Sequence, residues 1–123
     1  MGLSKVKPYS NIYEVDTFSE EYKKLFKNFG EYDSCKKKLM FNLSILDNAS
    51  SINSALQHKN IEKLKDVDNL YSIRNPSKLN PRTIFCYEID DNIYILLTSF
   101  FEKNTSDYNR AVKRAQNIIK SLE

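Results

Sequence analysis

Leu70-Tyr-Ser-Ile-Arg74, a connection from Asn75 to Pro81, then Arg82-Thr-Ile-Phe-Cys-Tyr-Glu-Ile-Asp-Asp-Asn-Ile-Tyr-Ile-Leu-Leu-Thr-Ser-Phe-Phe-Glu-Lys103 is the stretch that decides the fold. It is rich in Ile, Tyr, Phe and Thr, whose branched or aromatic side chains suit a pleated surface. Asp90-Asp91-Asn92 interrupts it with residues that tolerate tight turns. Three strands are expected, the last two forming a hairpin. Pro76 and Pro81 bound the loop between the first two, because Pro cannot join a central ladder. Arg74, Arg82 and Lys103 stand at the strand ends.

Upstream, Ile12-Tyr-Glu-Val-Asp-Thr-Phe18 alternates with the period of a half-buried strand. Ser19 offers a helix N-cap, with Glu20 and Glu21 suited to the first turn. Tyr22, Leu25, Phe26 and Phe29 follow at helical spacing, and Gly30 is expected to end that helix in left-handed geometry. A second helix is expected from about Asp33 to Asp47, with Cys35, Leu39, Leu43 and Leu46 as its stripe. The short connection predicts an antiparallel αα-hairpin. Residues 1–11 read as a loose lead-in, and residues 52–56 as a short helical turn. Beyond Lys103, Asn104 to Asp107 supply caps. A last helix then buries Tyr108, Ala111, Val112, Ala115, Ile118, Ile119 and Leu122. The expected order is β-α-α-β-β-β-α, an α+β fold.

The 123 residues predict one domain, 1–123. Hydrophobic content of 41% and charged content of 28% are those of a globular chain. Two glycines leave no Gly-rich phosphate loop. Cys35 and Cys86 admit one disulfide but are expected as free core thiols in a reducing compartment. With His58 they do not make a four-ligand zinc site, and no metal or cofactor is expected. No apolar run approaches membrane-spanning length, and the first residues lack a signal peptide's apolar segment, so a cytoplasmic protein is expected. The net charge is +3. Lys23, Lys24, Lys27, Lys36, Lys37 and Lys38 crowd the expected outward helix faces. They read as a solvated face or as an electrostatic footprint for nucleic acid.

Nucleophilic catalysis lacks a base, since His58 is the only histidine and lies in a polar segment. What remains is a set of cations with one phenol. RNA cleavage by its own 2′-hydroxyl needs a base, cations for the charge on the phosphorane, and an acid for the leaving 5′-oxygen. Lys, Arg and Tyr can supply these without metal. Arg74, Arg82 and Lys103, with Tyr108 a few residues on and Lys63 and Lys65 just upstream, are candidates for one site. Strand-end cations are also commonly solvated, and Tyr108 also fits the apolar stripe of its helix.

Lys63-Leu-Lys65, Leu70-Tyr-Ser-Ile-Arg74, Pro81-Arg82-Thr-Ile-Phe-Cys-Tyr87, Ile93 to Lys103 and Asp107-Tyr108-Asn-Arg-Ala-Val-Lys-Arg-Ala115 follow one another in an order that resembles the RelE/ParE superfamily of type II toxins, particularly its HigB-like, phage-associated branch. The resemblance covers about Ile61 to Leu122. It implies a compact, microbial-ribonuclease-like fold and cleavage of mRNA on the ribosome. On the ParE side it implies inhibition of DNA gyrase. A non-catalytic RNA- or ribosome-binding protein of the same fold is the third possibility. It also implies a cognate antitoxin that covers the active face. Carried over, Arg74, Arg82, Lys103 and Tyr108 are the catalytic candidates and Lys63 and Lys65 the RNA-binding ones; Lys36 and Lys37, from the basic helix faces, are added as RNA-binding candidates. Glu102-Lys103 stands where the family has a Lys-Lys pair, and a Pro-containing segment replaces its usual Gly between the second and third of these strands.

Overall fold

The computed structural model describes residues 2–122 and is α+β, with a six-stranded mixed sheet and four helices. The strands are β1 (Leu3–Lys5), β2 (Ile12–Val15), β3 (Ile61–Lys63), β4 (Tyr71–Arg74), β5 (Pro81–Glu88) and β6 (Ile93–Phe101). The helices are α1 (Phe18–Leu25), α2 (Tyr32–Asn48), α3 (Ile52–Ala55) and α4 (Thr105–Leu122). The sheet order is β1-β2-β6-β5-β4-β3. Among the described residues only β2 and β6 pair in parallel.

Two strands depart from the sequence reading. Leu3–Lys5 is not a loose lead-in but pairs antiparallel with β2, opposite Tyr13 to Val15. Its residues are all exposed, so no burial pattern marks it. Ile61–Lys63 is a further edge strand, paired with β4. Pro81 opens central strand β5, a position where a missing N–H is tolerated.

Helix ends also differ. Helix α1 begins one residue before Ser19, whose hydroxyl donates to Glu14 instead of capping. It stops at Leu25, and Gly30 does not take a left-handed φ. Helix α4 starts as expected, with a reciprocal cap. The Asn104 side chain accepts from the Asp107 N–H at 3.1 Å, and Asp107 Oδ2 accepts from the N–H groups of Lys103 and Asn104. Desolvation is the largest single influence and pushes the Asp107 carboxyl up, but these donors and Arg110 together outweigh it and hold it below the usual carboxylate value. A depressed value stabilises the fold above the unfolded pKa, and that contribution disappears as pH falls through the folded one. Asn104→Ala is expected to cost about 1 kcal/mol, read as a drop in Tm of about 4 °C.

Register assigns side chains to the two sheet faces. Opposed pairs Glu62–Ser72, Ser72–Ile84, Arg74–Arg82 and Arg82–Phe100 share one face. Pairs Lys63–Tyr71, Tyr71–Phe85 and Tyr87–Tyr94 share the other. Strand β6 carries a bulge: Thr98 opposes Ile84 and Leu96 opposes Phe85, leaving Leu97 unopposed. The bulge lets Leu96 and Phe101, five positions apart, lie on one face. That second face is covered by α1 and α2, where Phe26 packs edge-on against Phe101 and a hollow brings Leu39 and Leu43 to Leu96. Helix α4 packs on β5 and β6 and sets Tyr108 against Arg82 of the first face. Cys35 and Cys86 are buried free thiols on opposite sides of the sheet. Burial pushes the Cys86 thiol up to about 12.

Candidate functional site

The most concentrated polar chemistry lies on the α4 face, around Arg82. Strand β5 carries this guanidinium into the sheet, where only 9% of the residue remains exposed. A buried cation needs partners. Its Nε donates to Ser72 Oγ at 3.1 Å, one terminal nitrogen pairs with Glu62 of β3, and the other meets Glu102 Oε2. Ser72 is fully buried on β4. The guanidinium carbon lies 5.6 Å from the centre of the Tyr108 ring, which the first turn of α4 presents.

Arg74 is the cross-strand neighbour of Arg82, at the end of β4, and is exposed. Its side chain takes part in no ion pair among the described residues. Arg74, Arg82 and Glu102 line one small cleft, closed on its far side by the Asn75–Pro81 loop. That loop is pinned: the Asn75 N–H donates to the Pro81 carbonyl, and the buried Asn75 side chain pairs with Asn42 of α2. Asn80 adopts φ 47, the left-handed region its short polar side chain tolerates. The loop therefore fixes where the Arg74 backbone ends.

Of the expected catalytic residues, Arg74 and Tyr108 each neighbour Arg82, one across the strand pair and one through its ring. Lys103 does not join them. Its neighbour Glu102 turns to Arg82, while Lys103 lines the groove between α1 and α4, beside Lys24, Arg110 and Arg114. Lys63 is also on the other side. Alternation in β3 sends Glu62 to the Arg82 face and Lys63 to the opposite one. There Lys63 donates to the Val67 carbonyl at 2.8 Å and sits over the Tyr71 ring. Lys65 is exposed in the turn after β3. Lys36 and Lys37 are exposed on α2, across the sheet from Arg82. His58 is half-buried, and its Nδ1 accepts from the Asn60 N–H.

The Arg82 charge is met by two carboxylates. Glu62 and Glu102 are the members the sequence reading missed. Reading Ile61–Lys63 as a strand would have faced Glu62 with Ser72 and Arg82. Among the described residues no three His, Cys, Asp or Glu side chains gather to hold a metal ion. No described helix is long and apolar enough to cross a membrane.

Removing the shared cation leaves the Glu62 and Glu102 carboxylates without their common partner. Their side chains keep 38% and 30% exposure, so water offsets part of the cost. Arg82→Ala is expected to destabilise by about 2–3 kcal/mol, below the full penalty for a buried pair, and to lower Tm by about 10 °C. A thermal melt within 3 °C of wild type would contradict this structural role.

Comparison with protein-family profiles, curated proteins and solved structures finds no match to this chain.

Proposed function

We propose that this protein is the toxin of a type II toxin–antitoxin pair: a metal-independent endoribonuclease that cuts mRNA on the ribosome and inhibits translation in the cytoplasm. The observation that carries the reading is the cleft where Arg74, in no ion pair among the described residues, stands beside the Arg82–Glu102 pair, with the Tyr108 ring against Arg82. It brings together the three kinds of group that 2′-hydroxyl cleavage needs. The resemblance to the RelE/ParE superfamily supplies the toxin context, and a cognate antitoxin and the ribosome are the proposed partners.

The roles follow from position. Glu102 takes the proton from the 2′-hydroxyl. The 2′-oxygen forms a bond to phosphorus and the bond to the 5′-oxygen breaks. The Arg74 guanidinium donates to the non-bridging oxygens as charge develops there. Tyr108 delivers a proton to the leaving 5′-oxygen. The products are a 2′,3′-cyclic phosphate and a free 5′-hydroxyl. Arg82 is a positioning residue, holding Glu102 and the Tyr108 ring in place. Lys63, Lys65, Lys36 and Lys37 are too dispersed for one RNA track, and their proposed share is general attraction to RNA.

A second reading, a non-catalytic RNA- or ribosome-binding protein of the same fold, is favoured by one observation: two carboxylates occupy the buried cation. Translation in a cell-free system separates the two. Catalysis gives inhibition at protein far below ribosome concentration, accompanied by cut mRNA. A binding protein inhibits only stoichiometrically and leaves mRNA whole.

A further inference from the structure

We infer that the hollow between β1, α1 and α2 is a binding site for a small amphiphilic anion, a single apolar tail carrying a carboxylate or similar head. It lies across the sheet from the Arg82 cleft and does not depend on the function proposed for that cleft.

The hollow exists because β1 extends the sheet beyond β2, whereas α1 packs on β2 and β6. A wedge of about 370 Å³ stays open between the edge strand and the two helices. That volume falls within the usual range for small-molecule sites. Its floor is made by Phe18, Leu39, Leu43 and Leu96, each at most 4% exposed. Met40 forms a wall, and its unbranched thioether adapts to an inserted tail. Tyr22 contributes its ring, and its buried hydroxyl has no hydrogen-bond partner among the described residues. Phe18, Leu39, Leu43 and Leu96 offer no hydrogen-bonding partner to a sugar or a base edge, and burying most of such a group's polar atoms unpaired is costly. A saturated tail meets no such penalty.

The mouth has the opposite chemistry. Lys5, Lys7 and Lys36 line it, all exposed and none in an ion pair among the described residues. The single carboxylate on the lining, Glu14, accepts from the Ser19 hydroxyl at 2.6 Å. Three cations against one engaged acid select an anionic head. An apolar floor beneath a cationic rim is complementary to a fatty carboxylate and not to a neutral alcohol of the same length.

The test is titration of the full chain with hexanoate, octanoate and octanol, followed by the methyl signals of Met40 and Leu43. Octanoate is expected to bind more tightly than hexanoate by about fourfold per added methylene. Octanol is expected to bind at least tenfold more weakly than octanoate. The Lys5→Ala/Lys36→Ala double variant, altered only at exposed positions, should keep the wild-type Tm while losing at least tenfold in octanoate affinity and most of its salt dependence. Met40→Trp, which fills the hollow from its wall, should abolish binding. Unmoved Met40 and Leu43 signals at millimolar octanoate would overturn the proposal, as would equal affinity for octanol. Binding to phosphatidylglycerol vesicles without binding of monomeric octanoate would also overturn it, in favour of a membrane surface.

Discussion

Glu102→Gln is expected to lower RNA cleavage by about 10²- to 10⁴-fold, the range for losing a general base. The substitution keeps the shape of the side chain and an oxygen that can still accept from Arg82. Arg82 retains Glu62 and Ser72 as well. The fold should therefore survive, with Tm within a few degrees of wild type. A residue that merely neutralised Arg82 would behave differently: its loss would lower Tm and leave cleavage per folded molecule unchanged. Chemical rescue separates the cases again. With Glu102 as base, an added small carboxylate such as formate should restore part of the cleavage lost by Glu102→Ala. A variant that cleaves at wild-type rate removes Glu102 from the chemistry.

Arg74→Ala is expected to cost about 10²- to 10³-fold in cleavage, the usual scale for one donor lost from a developing oxyanion. Stability should not change. The side chain is exposed and forms no ion pair among the described residues, and its backbone N–H donates to the Asn60 carbonyl whatever the side chain. Lys103→Ala is the contrasting variant. Lys103 lines the α1–α4 groove, so its loss should change cleavage only a few-fold, through weaker attraction to RNA. If Lys103→Ala proved as damaging as Arg74→Ala, the site would lie at the groove and not at the cleft. Arg74→Lys should recover little, because one ammonium does not reproduce the planar fork that grips two phosphate oxygens.

The sequence made some parts of this molecule legible and hid others. Helix α4 was readable because Ala111, Ala115 and Ile118 repeat at helical spacing and the stripe is in fact buried. The β5–β6 hairpin was readable from its β-branched and aromatic run and from the turn at Asp90-Asp91-Asn92, where Asn92 takes a positive φ. Strand β1 was not. Three exposed residues carry no alternation, and their strand state comes from backbone pairing with β2 alone. The Leu97 bulge left no mark either, since Ile93 to Leu97 reads as a continuous apolar run that any register would suit.

The candidate site divides in the same way. Arg74, Arg82 and Tyr108 stood out by residue type and position. Glu62 did not, because its partner is twenty residues away and β3 is only three residues long. Glu102 and Lys103 are adjacent, and which of them faces Arg82 depends on how the chain leaves β6, a tertiary matter. Lys63 shows the cost of a one-residue error: in a strand, the next side chain belongs to the opposite face.

Primer extension on a translated reporter mRNA, after induction of wild type beside Arg74→Ala, tests the central claim most directly. The account predicts discrete cuts within the translated region for wild type and none for the folded variant. Intact mRNA under wild-type induction would contradict it: with growth arrest the target is elsewhere, DNA gyrase first, and with normal growth the cleft performs no cleavage.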